Sequence, residues 1–225
     1  MHFTPQELWA ATGTPVRIVL AVMMIMAIWC LYVAIERTIA LHKARKQSRA
    51  LAEAVAAPLQ ASNAAEALTL CQKEEFGLSY LGHMLRGGLT EFNARPDKHG
   101  IEAAERSLER TAIAETQSLR KGMNMLATTG ATAPFVGLVG TIFGIINAFQ
   151  MMGEAGGGDL GAISSGIAEA LITTAIGISV AILGVWLFNY FNGKIDEITN
   201  DMSNSSLELL DWCEKQILPP FGKAE

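Results

Sequence analysis

Of 225 residues, 50% are hydrophobic and only 17% charged, too little charge to coat a soluble globule of this length, so the chain reads as a membrane protein. A formal net charge of −5 excludes a general role on nucleic acid or anionic surfaces, because phosphate contacts need clustered Lys and Arg. Cys30, Cys71 and Cys213 are odd in number and far apart, and His2, His42, His83 and His99 are scattered; free thiols, surface histidines and no metal or cofactor are expected.

In chain order, Thr4-Pro5-Gln6-Glu7 carries a capping hydroxyl, a proline at the first helical position and a glutamate three residues after the cap. A short external interfacial helix is expected over 1–16. The run Ile18 to Ile35 is uncharged and closes on Glu36-Arg37, giving a first membrane helix over 17–36. No basic stretch precedes it and no A-x-A site follows, so a retained anchor is expected here rather than a signal peptide. Residues 37–126 are rich in Ala, Leu, Glu, Lys and Arg, without strand patterning. Pro58, Ser62-Asn63, Gly77, Gly87-Gly88 and Arg95-Pro96 should divide them into helices. In the last of these, Ile101, Ala104, Leu108, Ala112, Leu119, Met123 and Leu126 form a stripe that predicts one helix continuing without a break into the next span.

The uncharged run Gly122 to Gly153 contains a second membrane helix, 127–152. The turn GEAGGGDLG, 153–161, leads to a third, 162–192, and a further amphipathic helix fills 193–225, with Ile195, Ile198, Met202, Leu209 and Ile217 on its apolar side. Each span can cross about 30 Å of hydrocarbon at ~1.5 Å per residue. All must be helical, since lipid offers no partner to an open strand edge. Thirteen of the seventeen Lys and Arg lie between Arg37 and Lys121, and three lie in the tail. The positive-inside rule puts that segment and the C-terminus in the cytoplasm, and the N-terminus and the Gly-rich turn outside. The basic cluster at 42–46 reads as a phospholipid headgroup anchor. The fold class expected is therefore an all-α integral membrane protein with three transmembrane helices and long helices extending into the cytoplasm.

Gly130, Ala133, Gly137, Gly140, Thr141, Gly144 and Ala148 recur at three- and four-residue steps in the second span, with Pro134 among them, and Gly166, Ala170, Thr173, Gly177, Ala181 and Gly184 do so in the third. Such faces let membrane helices approach closely. Glu169 is the only charged residue from Leu160 to Gly193, although an acid at the bilayer centre costs about 2.5–3.5 kcal/mol. At 100° per residue it lies at one edge of the third span's small face, with Thr174 about 140° round at the other edge and Thr173 between. Arg17 and Arg37 lie at the ends of the first helix, and the spans hold no other Lys, Arg or His to pair with it. Glu169 is then either protonated and hydrogen bonded, or titrates in an aqueous path. The second reading is preferred. The threonines taken singly could be satisfied by bonding back to their own helix.

The runs APFVGLVGTIFGIINAFQ, 133–150, and SGIAEALITTAIGISVAILGVWLFNYF, 165–191, resemble the two signature helices of the ExbB/TolQ/MotA family of proton-motive-force-driven motor subunits, and most closely the ExbB/TolQ branch. The resemblance implies a homopentamer in the bacterial inner membrane around a central pore. It also implies a single-span ExbD/TolR-like partner that supplies an essential Asp, and downstream a TonB-like, TolA-like or motility protein. By motif position the pore threonines would be Thr141 and Thr174 and the luminal acid Glu169. Thr173, where the family often has Ala, is expected beside them as a further pore-lining residue. The translocated ion would be a proton. A gliding or flagellar-type stator and a passive membrane scaffold are the alternatives; nothing in the sequence matches an enzyme's nucleophile and base or a phosphate-binding loop.

Overall fold

The computed structural model describes residues 13–154 and 160–217, and every regular element among them is helical. In order these are α1 (Thr14–Gln60), α2 (Ala64–Cys71), a 3-10 turn (Glu74–Phe76), α3 (Tyr80–Ala94), α4 (Lys98–Leu119), α5 (Met123–Glu154) and α6 (Leu160–Ile217). The expected external helix falls mostly on residues 1–12, outside the described ones, and Thr14 to Val16 already belong to α1. The centre of the Gly-rich turn and the last eight residues of the expected C-terminal helix also lie outside. Among the described residues, three helices, α1, α5 and α6, are long and apolar enough to cross a membrane.

The chain divides into two compact units. The first comprises residues up to Ile35 together with Gly122–Phe191. On α1 the buried positions Val16, Val19, Met23, Cys30 and Val33 form one stripe, while Ile18, Ile25, Trp29 and Tyr32 on the other sides are exposed. The same holds on α5 and α6, and only 22% of each apolar window is buried. In water that much exposed apolar area would drive aggregation. Facing lipid or other membrane helices, it is the expected exterior.

The second unit comprises Glu36–Lys121 and Asn192 onward. It has an ordinary core: Leu51, Met84, Leu89, Leu108, Ile195, Ile198 and Met202 are all at most 2% exposed. Asn63, Ser79 and Asp97 each accept a hydrogen bond from a backbone N–H in the first turn of α2, α3 and α4, which satisfies donors that a helix start leaves open. At the other end of α4, the buried Arg37 donates to the Ser118 and Leu119 carbonyls, 3.2 Å each, and also pairs with Glu36.

Three helix boundaries differ from the sequence expectation. Gly87 and Gly88 do not interrupt a helix; they lie inside α3, where a Cβ on Gly88 would come 2.8 Å from Leu209 Cδ2 and one on Gly87 would come 2.9 Å from Ser107 Oγ. They are there so that neighbouring helices can approach. Pro58 is tolerated inside the last turn of α1, and the break comes at Ser62, whose φ is +56°. The stripe from Ile101 to Leu126 is not one helix: Gly122 has φ +81°, in the left-handed region that ends a helix, and separates α4 from α5.

Candidate functional site

In the first unit α5 and α6 run antiparallel with their small faces in contact. A Cβ on Gly166 would meet Ala148 Cβ at 2.6 Å, one on Gly144 would meet Ala170 Cβ at 2.8 Å, and one on Gly140 would meet Thr173 Oγ1 at 2.8 Å. Further along, one on Gly177 would meet the Ala133 carbonyl at 2.8 Å and one on Gly184 would meet Gly130 N at 2.9 Å. The contact partners fall along one helix as they climb the other, so the two backbones stay close from Gly130 to Ala148 on α5. Pro134, half-buried in α5 beside Ala133, leaves the Gly130 carbonyl without its helical donor. From α1, Met26 and Ala27 pack on Ala133, Val180 and Ala181, and a Cβ on Gly140 would also meet Val19.

Where the helices touch, the three threonines sit within about a turn of Gly137. Thr173 is 1% exposed; its hydroxyl donates to the Ala170 carbonyl at 2.7 Å and lies 3.4 Å from the Gly137 carbonyl. Thr174, half-buried, donates across the helix interface to the same Gly137 carbonyl at 3.2 Å. Thr141 is buried and donates back to the Leu138 carbonyl at 2.6 Å. The back-bonding expected of membrane threonines thus accounts for Thr141 and for one bond of Thr173, and Thr174 instead ties two helices together.

Glu169 sits one residue before Ala170, whose methyl is the contact for Gly144. Its Oε1 is buried and has no hydrogen-bond partner among the described residues. A buried carboxyl oxygen without a donor is costly, which makes Glu169 the candidate functional group of this helix pair. Hydroxyls both give and accept hydrogen bonds, so a threonine can pass a proton without itself ionising. No cluster of three or more His, Cys, Asp or Glu able to hold a metal occurs among the described residues.

Residues 78–204 match the MotA/TolQ/ExbB proton channel family. A relative described as biopolymer transport protein ExbB, from Neisseria meningitidis serogroup A, is 31% identical over 210 residues, covering 88% of this chain and 92% of its own. The chain belongs to the MotA/TolQ/ExbB proton channel family. It is therefore a multi-pass membrane protein with a channel family's helix pair. An ExbB of Xanthomonas campestris pv. campestris is 40% identical over 123 residues, 52% of this chain and 47% of its own. A Tol-Pal system protein TolQ of Pseudomonas aeruginosa is 35% identical over 117 residues, 49% of this chain and 51% of its own. The chain spans about half the length of these last two. The matched family region contains both signature helices and all of Thr141, Glu169, Thr173 and Thr174.

The second unit holds polar groups that spacing alone did not single out. His83 Nδ1 of α3 lies 2.7 Å from Glu115 Oε1 of α4. The hydrogen bond to Glu115 raises the imidazole above its ordinary value, against the opposing effect of burial. A His and a Glu 32 residues apart give no periodic signal; only the antiparallel α3–α4 packing brings them together. Cys30, Cys71 and Cys213 are free and buried. Burial pushes the Cys71 and Cys213 thiols up to about 11, which leaves them protonated and unreactive at neutral pH.

Proposed function

We propose that this chain is the proton-channel subunit of a bacterial inner-membrane motor, a homopentamer of ExbB/TolQ type that couples the proton motive force to a process in the outer membrane or envelope. Thr141, Glu169 and Thr174 serve the proton path, and the small faces around Gly137, Gly140, Gly144, Gly166, Gly177 and Gly184 seal the helix pair against leakage. An ExbD/TolR-like single-span subunit with an Asp in its membrane helix completes the path, and a TonB-like, TolA-like or motility protein takes up the work. The N-terminus then faces the periplasm, and the second unit and the C-terminus face the cytoplasm.

One observation carries the reading: the buried Oε1 of Glu169, without a hydrogen-bond partner among the described residues, in an otherwise uncharged span. A passive scaffold has no use for it, since an amide or an alkyl group would pack there at lower cost. The test uses the complex purified from its host membrane and placed in liposomes under an imposed potential. Glu169→Gln and Thr174→Val should assemble with the native mass of the unaltered complex. Their proton uptake should fall, for Glu169→Gln by about a hundredfold or more, as when a proton-transferring group is removed. No uptake by the unaltered complex would reject the motor in favour of the scaffold, and unchanged uptake in Glu169→Gln would reject Glu169 as part of the path. Uptake that follows sodium rather than pH would reject the proton as the ion.

A further inference from the structure

The three threonines do not share the Gly137 carbonyl on equal terms. A carbonyl oxygen has two lone pairs. The α-helix commits one of them to the N–H four residues on, that of Thr141. One site remains for two hydroxyls, Thr174 at 3.2 Å and Thr173 at 3.4 Å. Thr174 has no other acceptor among the described residues, but Thr173 has the Ala170 carbonyl at 2.7 Å. A threonine hydroxyl carries one proton. When Thr173 turns that proton to Gly137, the Thr174 proton loses its acceptor and must point elsewhere; when Thr173 returns to Ala170, Thr174 is held.

We infer that Thr173 is a positioning residue that, by contesting the Gly137 carbonyl, sets how readily the Thr174 hydroxyl is released into the proton path. Thr173 is 1% exposed, so it does not itself meet water or a permeating proton and acts only through Thr174. The inference rests on the proton-channel reading above, and it goes further by naming a hydroxyl whose role is to compete and not to conduct. It also separates two residues that sequence spacing placed together: Thr174 as conductor, Thr173 as its control.

The tests are Thr173→Ala, Thr173→Val and Thr173→Ser in the full chain, read in two ways. Carbonyl-13C glycine with 15N leucine labels three Gly–Leu peptides, at Gly77, Gly88 and Gly137. Loss of the competing hydroxyl should move the Gly137 carbonyl signal in the Ala and Val variants and leave the other two in place, with Ser close to the unaltered chain. Proton uptake by the host-purified complex in liposomes should fall several-fold in Ala and Val, with a larger slowing in D2O than the unaltered complex shows, and recover in Ser. Because Ala is smaller and Ser keeps the hydroxyl, at least one variant tests the idea without crowding Gly140. A Gly137 signal unmoved by all three, or uptake and solvent isotope effect unchanged in Ala and Val while Glu169→Gln is silent, overturns the inference alone. Absence of uptake in the unaltered complex overturns the channel reading and the inference with it.

Discussion

His83 and Glu115 show how much one pair can add where the chain is otherwise held by apolar contact. The imidazole is 42% exposed and its partner 22%, so solvent screens the pair and its worth is modest. Its pH dependence is nevertheless distinct. Glu115 and the Gly77 backbone raise the His83 value, while burial and Arg86 oppose them. A raised folded-state value means that the native state holds the proton more tightly than the unfolded one. The stabilisation is complete below imidazole's ordinary value near 6.5 and is lost as pH rises through the raised one. Hydrogen-exchange protection of α3 and α4 should therefore weaken from pH 6 to pH 8, and His83→Gln should flatten that slope. An equal slope in the variant would show that another group is responsible. A second residue-scale expectation concerns Ser79, fully buried, whose Oγ accepts from Gly82 N at 2.9 Å and lies 3.1 Å from Ser48 Oγ. Ser79→Ala removes the cap of α3 and leaves Ser48 short of a partner. Thermal unfolding should show a loss of about 1–2 kcal/mol.

Between elements, the decisive quantity is the distance between backbones. Gly177 and Gly193 lie on the same helix, but a Cβ on Gly177 would press on the Ala133 carbonyl at 2.8 Å and one on Gly193 would meet nothing within 4 Å. Gly177→Ala should destabilise by about 1–3 kcal/mol, since a main-chain atom cannot step aside. Gly193→Ala should stabilise by roughly 0.5–1 kcal/mol through helix propensity. Detergent-melt midpoints moving in opposite directions would bear this out; two equal shifts would not. At the C-terminal end of α4, Arg37→Met strips two carbonyls of a buried charged donor and should cost roughly 2–4 kcal/mol in the same assay. The small faces of α5 and α6 were legible in the sequence because a three- and four-residue period maps directly onto one side of a helix. So was Glu169, because one acid in thirty-odd uncharged residues cannot be missed. Gly87 and Gly88 were misread because a glycine that permits close packing and a glycine that ends a helix are the same letter, and only the neighbouring Leu108, Ser107 and Leu209 tell them apart. Gly122 failed the other way: an apolar stripe carries on across a break whenever both helices bury the same side. The sharing of Gly137 by Thr173 and Thr174 depends on the register between two helices, and no single-helix pattern contains it.

For the molecule as a whole, the question is how a polar track can sit in a membrane without discharging it. One charge crossing gains about 2.3 kcal/mol per 100 mV, and that energy is useful only if no path is open by default. In this chain each threonine hydroxyl of the site is already bonded to a carbonyl: Thr141 to Leu138, Thr173 to Ala170, Thr174 to Gly137. Glu169 Oε1 meets no donor among the described residues. Those three hydroxyls are thus engaged, and the glycine contacts of α5 with α6 leave no room between the two helices for a file of water. The chain reconstituted alone in liposomes should then pass protons no faster than empty liposomes under a 100 mV potential, followed with an internal pH dye. Flux should appear only when the host-purified complex, with its proposed single-span partner, replaces it, because that partner would supply the missing donor for Glu169 and an acceptor for the Thr174 hydroxyl that Thr173 displaces from Gly137. A leak through the chain alone that disappears in Glu169→Gln would mean that these hydroxyl bonds open spontaneously. The gate would then lie in the threonines themselves and not in the partner.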